Sequence, residues 1–157
     1  MSLENKRIID PFQFAEKSLS NDLIIAAKMG ETVNIMALGW KTLGVLWSQP
    51  VWIVAVRPSR YTFRLLNEHP EFSLHLMPEN RDDVISLAGS KSGKNTDKVK
   101  ELGLNLIESK KISVPLIDEA LISYECKIIH TAESGDHSPH RLFFGKILKA
   151  YANKSLF

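Results

Sequence analysis

Val51 to Val56 (VWIVAV) is the longest uninterrupted apolar run in the chain, and it leads straight into RPSRYT. A run this short, rich in β-branched residues and apolar on both faces, is the pattern of a central strand covered on two sides. It falls well below the roughly 18 residues needed to cross a bilayer. The stretch Asn34 to Thr62 organises the rest: a strand NIMALGW, a connecting turn KTLGVLWSQP carrying Trp47 and Pro50, the strand from Val51, and a helix start. Where the strand ends, Arg57 and Arg60 converge with the hydroxyls of Ser59, Tyr61 and Thr62. Such a corner suits an anion, because a helix N-terminus offers unpaired N–H groups and a guanidinium grips an oxyanion with two parallel bonds.

The other elements are also short. Asp10-Pro11 reads as an N-cap followed by proline, opening a helix to about Leu19. Leu23–Lys28 and Val33–Trp40 read as a hairpin around Gly30, with a loop longer than the two-residue ideal. Ser59 is placed to cap a helix running from Arg60 to about His69, ended by Pro70. Phe72–Met77 alternates as a half-buried strand, with Ser73 and His75 on the polar face. Arg81–Leu87 is weakly helical, and Asn95 is placed to cap a short helix that Gly103 ends. Leu104–Ile107 and Ile112–Val114 read as edge strands. Leu121–Thr131 alternates with Ser123 and Glu125 on its polar face, and Leu142–Ala152 is the last strand. Six to eight short strands with brief helices at their joins predict a mainly β protein, an antiparallel barrel closed or nearly so. A Rossmann arrangement is disfavoured, since long crossover helices and a glycine fingerprint are missing.

At 157 residues the length predicts one domain over 1–157. A net charge of +2 is too small for wholesale nucleic-acid or membrane binding, so basic function must be local. The polar start SLENKR and the single cysteine, Cys126, point to a cytoplasmic protein without intrachain disulfides. The five histidines match no zinc spacing, so no metal is expected. Cys126 falls on the apolar face of its strand as an inert thiol. No nucleophile–base set or carboxylate pair stands out, and any enzymatic chemistry must come from a cofactor.

Each motif has a plain alternative. Ser59 can be a cap with solvated arginines beside it, and the lysine-rich loop SKSGKNTDK can be merely solvated. Ala37 and Gly39 admit a flat ligand against the backbone, or mark a bulge. Trp40, Trp47 and Trp52 can all be core.

Taken in order, N-x-M-A-x-G-W, TLG…W…P, V-R-P-S-R-Y-T, S-G-K-N-x-D-K, E-C-K and H-R-x-x-F-G-K-I resemble the flavin reductase-like family of FMN-binding split-barrel proteins, flavoredoxin included. The resemblance covers Asn34 to Tyr151. It implies an antiparallel split β-barrel, a homodimer with FMN at the subunit interface, and electron transfer from NAD(P)H through FMN to a small-molecule or protein acceptor. By that likeness Asn34, Met36, Ala37, Leu38, Gly39 and Trp40 line the isoalloxazine ring. Ser59, Arg60, Tyr61 and Thr62 hold the phosphate, helped by Ser92, Gly93 and Lys98. His140 and Arg141 face the nicotinamide or substrate. Ala37 replaces the usual hydroxyl residue, which bears on flavin affinity or redox tuning. The chain ends at Phe157 where similar proteins often continue, implying a more open site or a shortened chain. Two competitors stand beside this reading: a flavin-binding electron carrier without its own nicotinamide site, and a barrel that only binds a small ligand.

Overall fold

The computed structural model describes residues 3–157; Met1 and Ser2, which the expected 1–157 unit includes, lie outside them. In chain order the strands are β1 (Lys6–Ile8), β2 (Leu23–Met29), β3 (Thr32–Leu38), β4 (Lys41–Leu46), β5 (Gln49–Val56), β6 (Glu71–Leu76), β7 (Leu106–Ile107), β8 (Leu116–Ile117), β9 (Ile122–Glu133) and β10 (Arg141–Asn153). Among the described residues four α-helices join them: α1 (Ala15–Leu19), α2 (Tyr61–Glu68), α3 (Asp82–Ser90) and α4 (Lys98–Glu101).

The main sheet runs β3-β2-β6-β9-β10-β5-β4, with β1 added on β10. Every pairing in it is antiparallel. Its two terminal strands, β3 and β4, are neighbours in sequence, separated only by Gly39 and Trp40. The chain itself therefore joins the ends of the sheet and curls it round. This is the mainly β, antiparallel split barrel with a few short helices that the sequence predicts.

Val51, Trp52, Val54 and Val56 are buried as expected of the central strand. Trp52 packs edge-on against Tyr124 inside the barrel, with ring centroids 5.4 Å apart. A second apolar cluster lies outside the barrel, where α3 and the segment 104–120 cover β2 and β3. That segment also changes the expected polarity of β6 and β9. Ser73, His75, Ser123 and Glu125 were assigned to open faces and are fully buried. Burial is possible because most of them find partners. Ser73 Oγ donates to Pro115 O at 2.8 Å. His75 lies 3.1 Å from Ile24 O through Nδ1, and its Nε2 accepts from the Ile117 amide. Burial pushes this imidazole down to about 3, so it stays neutral. The Glu125 carboxylate accepts the amides of Lys110 and Lys111 and the Tyr151 hydroxyl.

Several local expectations change. The β2–β3 hairpin has a two-residue turn, since Met29 pairs with Thr32 across Gly30 at φ 60° and Glu31. KTLGVL is not a connection but β4, and the turn is Trp47–Ser48 alone, both at positive φ as a tight hairpin requires. Helix α1 starts at Ala15, because the Asp10 carboxylate instead closes a local turn on the Phe12 amide. Arg60, not Ser59, occupies the N-cap of α2, and no side chain caps it. Asp97, not Asn95, caps α4 by accepting from the Lys100 amide. Ile112–Val114 is not a strand; the short pair is β7 with β8.

Candidate functional site

Strands β3 and β5 and the start of α2 meet at one end of the barrel. There Met36, Ala37, Leu38, Gly39, Trp40, Ala55, Arg57, Arg60 and His140 surround a cavity of about 210 Å³. The β2–β3 register is unbroken through Leu38, so Ala37 marks no bulge; it borders the cavity while its small side chain packs with the cluster under α3. Because β3 ends the sheet, main-chain groups on its outer edge pair with no other strand. Trp40 is 61% exposed and stacks obliquely on His140, centroids 4.6 Å apart.

Beneath the cavity, Asn34 ties two distant segments together. Its carboxamide is buried and donates through Nδ2 to Thr62 Oγ1 at 2.9 Å. The other face presses on Gly93, where an added Cβ would fall 1.8 Å from Asn34 Oδ1. The arginine corner and the lysine loop therefore close on the same side chain.

Lys98 reaches the same region from the far side. Its Nζ donates to Ile35 O at 2.8 Å and to Ala88 O at 3.0 Å, bracing β3 against α3. Burial, aided by the neighbouring Arg60 guanidinium, lowers this ammonium to about 8. These two bonds engage two of its three N–H groups.

Among the described residues the Arg60 amide donates to Arg57 O at 3.0 Å, but neither the Arg57 nor the Arg60 guanidinium makes a hydrogen bond or ion pair. Guanidiniums left free beside an uncapped eight-residue helix form a donor set for a strongly anionic group. The open edge of β3 offers main-chain groups to a flat heterocycle. A phosphorylated planar ligand such as FMN fits these donors.

The expected residues do not all share one role. Met36, Ala37, Leu38, Gly39, Trp40, Arg60 and His140 line the cavity. Asn34, Thr62, Gly93 and Lys98 lie behind it, Tyr61 packs on the barrel core, and Ser59 and Ser92 are exposed and do not line it. Arg141 reaches Thr131 Oγ1 at 3.3 Å and the Glu133 carboxylate at 3.8 Å, away from this cavity. Arg57 and Ala55 were not singled out as cavity residues. Arg57 stood in the quoted motif, and its place one step beyond a doubly buried strand was the available signal.

Residues 21–157 match the family model for the flavin reductase like domain. The chain belongs to the flavin reductase-like family. It is 36% identical over 132 residues to an uncharacterised protein of Pyrococcus abyssi, covering 83% of this chain and 72% of that one. It spans 48% to 72% of the archaeal relatives it matches. Among solved structures, a flavoredoxin from Methanosarcina acetivorans superposes with a TM-score of 0.77 at 25% identity, over 87% of this chain and 70% of that one. An FMN-binding protein from Thermus thermophilus gives 0.73 at 26% identity, over 85% and 70% respectively. No helix among the described residues is long and apolar enough to cross a membrane.

Proposed function

We propose that the chain binds FMN in this cavity as a homodimer and passes electrons from NAD(P)H to a small-molecule or protein acceptor. The observation that carries this reading is the Asn34 tie, which draws Thr62 of the arginine corner and Gly93 of the lysine loop to one point under a cavity bordered by free guanidiniums. In this reading Arg60 and the start of α2 hold the phosphate, with Ser59 and Ser92 at its edge. Lys98 adds a third positive charge from behind, and Met36 to Trp40 lie along the ring. Bound FMN supplies the hydride and electron chemistry. The protein binds it, orients it and limits water.

No cysteine contributes, because burial pushes the lone Cys126 thiol well above its usual range. Dimerisation is supported by the β4–β5 hairpin, a terminal pair of strands that leaves Val45 and, at its turn, Trp47 exposed, with Trp40 exposed at the other end of β4. The Thermus neighbour is described with bound 1-cyclohex-2-enone, which supports a small conjugated carbonyl compound as one acceptor class.

Purified protein reconstituted with FMN is expected to be yellow, and anaerobic NADH or NADPH is expected to bleach it. Yellow protein inert to both nucleotides would replace the enzyme by a carrier reduced through a partner. Protein that stays colourless after FMN and dialysis would remove the flavin reading altogether.

A further inference from the structure

The loop Ser134–His140 puts nearly every polar atom of His140 to use. Ser134 Oγ donates to the His140 carbonyl. The His140 amide donates to Ser138 Oγ at 3.1 Å, and the same hydroxyl lies 2.6 Å from His140 Nδ1. Among the described residues Nε2 alone has no partner. The ring leans on Trp40 and lies between the cavity already described and a second one of about 320 Å³, bounded by Pro58, Phe63 and the 133–141 loop.

One hydroxyl proton must be assigned. Ser138 Oγ already accepts the His140 amide hydrogen, so aiming its own proton at Nδ1 satisfies both contacts with one donor and one acceptor role. Nδ1 is then an acceptor, and in a neutral imidazole the remaining proton sits on Nε2. Neutrality is favoured by partial burial and by the positive Arg57 nearby, which together lower the affinity of this imidazole for a second proton. Arg141, the next residue, and Arg60 at the cavity add positive charge; of the carboxylates near this loop, Glu133 lies 3.8 Å from Arg141 and Asp136 is in the loop itself.

We infer that Ser138 is a positioning residue which fixes His140 as the Nε2–H tautomer, so that the ring presents a hydrogen-bond donor to the ligand lying against Trp40. A donor there favours a group with an oxygen acceptor, such as a carbonyl or carboxamide, over one that can only donate. This rests on the proposed ligand cavity for its purpose, but the tautomer is a property of the protein alone.

The test is ¹⁵N NMR of the histidine side chains in the full chain at neutral pH, with His140 assigned from the spectrum lost in His140→Gln. Wild type is expected to show a protonated Nε2 and an unprotonated Nδ1. Ser138→Ala is expected to shift His140 toward a mixture of tautomers, and Ser138→Thr to restore the original pattern. A wild-type ring protonated on Nδ1, or a pattern unchanged by Ser138→Ala, would overturn the inference. FMN titration of the same samples separates the two readings: failure of FMN to bind wild type sinks the cofactor proposal and leaves the tautomer result standing.

Discussion

Replacing Gly93 by alanine is expected to raise the dissociation constant for FMN by at least about tenfold, equivalent to about 1.4 kcal/mol. The new methyl group would sit 1.8 Å from Asn34 Oδ1 and 2.4 Å from its Cγ. Asn34 has little freedom to withdraw, because it is buried and bonded to Thr62 on the other side. The loop must therefore move away from the arginine corner, taking Ser92 and the approach to Lys98 with it. Flavin fluorescence titration reads the loss. Combining Gly93→Ala with Asn34→Ala removes the clash; the double variant is expected to recover thermal stability while binding remains weak, since the tie is gone. Full recovery of affinity in the double variant would show that the tie is dispensable.

The largest expected effect on stability is at Gly145. A Cβ there would meet Phe72 Cζ at 2.3 Å, Phe72 Cε2 at 2.6 Å and Cys126 Cβ at 3.0 Å. Phe72 is fully buried, and Gly145 sits where the β9–β10 register shifts. Overfilling a packed interior costs about 1–3 kcal/mol. Gly145→Ala is thus expected to lower the melting temperature by about 2–4 °C for each kcal/mol lost in a chain of this size. Calorimetry checks it, and Phe72→Leu in the same chain is expected to return part of the loss by opening room. A melting temperature unchanged by Gly145→Ala would mean that the ring has space the structure does not show.

The barrel was legible because its strands are turn-bounded and apolar in the right places. VWIVAV could be little else, and the alternation of Leu121–Thr131 marked β9, the strand between β6 and β10. Faces were harder to assign. Ser73, His75 and Glu125 look like solvent residues in a period-two pattern, yet they are buried. What hides them is the segment 104–120, whose position depends on contacts more than thirty residues away in sequence, such as Ser73 to Pro115. β4 was missed for another reason. KTLGVL contains a glycine and lies on a terminal strand with exposed Val45, so it carries no clear core face.

At the site, the Met36–Trp40 strand and Arg60 were readable from the convergence of small residues, an aromatic and basic groups. The supporting roles were not. Nothing in the local sequence says that Asn34 faces Thr62 and Gly93, or that the Lys98 ammonium ends on Ile35 O and Ala88 O. Ser138 was equally silent, because a serine in a polar loop acquires meaning only when His140 folds back on it.

The most direct measurement is an equilibrium titration of the protein with FMN and, in parallel, with riboflavin, which has the same ring but no phosphate. If the guanidinium corner and the lysine loop hold that phosphate, FMN binds more tightly by at least about tenfold, because hydrogen bonds to charged groups contribute about 1.5–3 kcal/mol. Arg60→Ala would then remove most of the difference while barely changing the riboflavin curve. Equal affinity of the wild-type protein for the two flavins, or a preference that survives Arg60→Ala intact, would contradict the account.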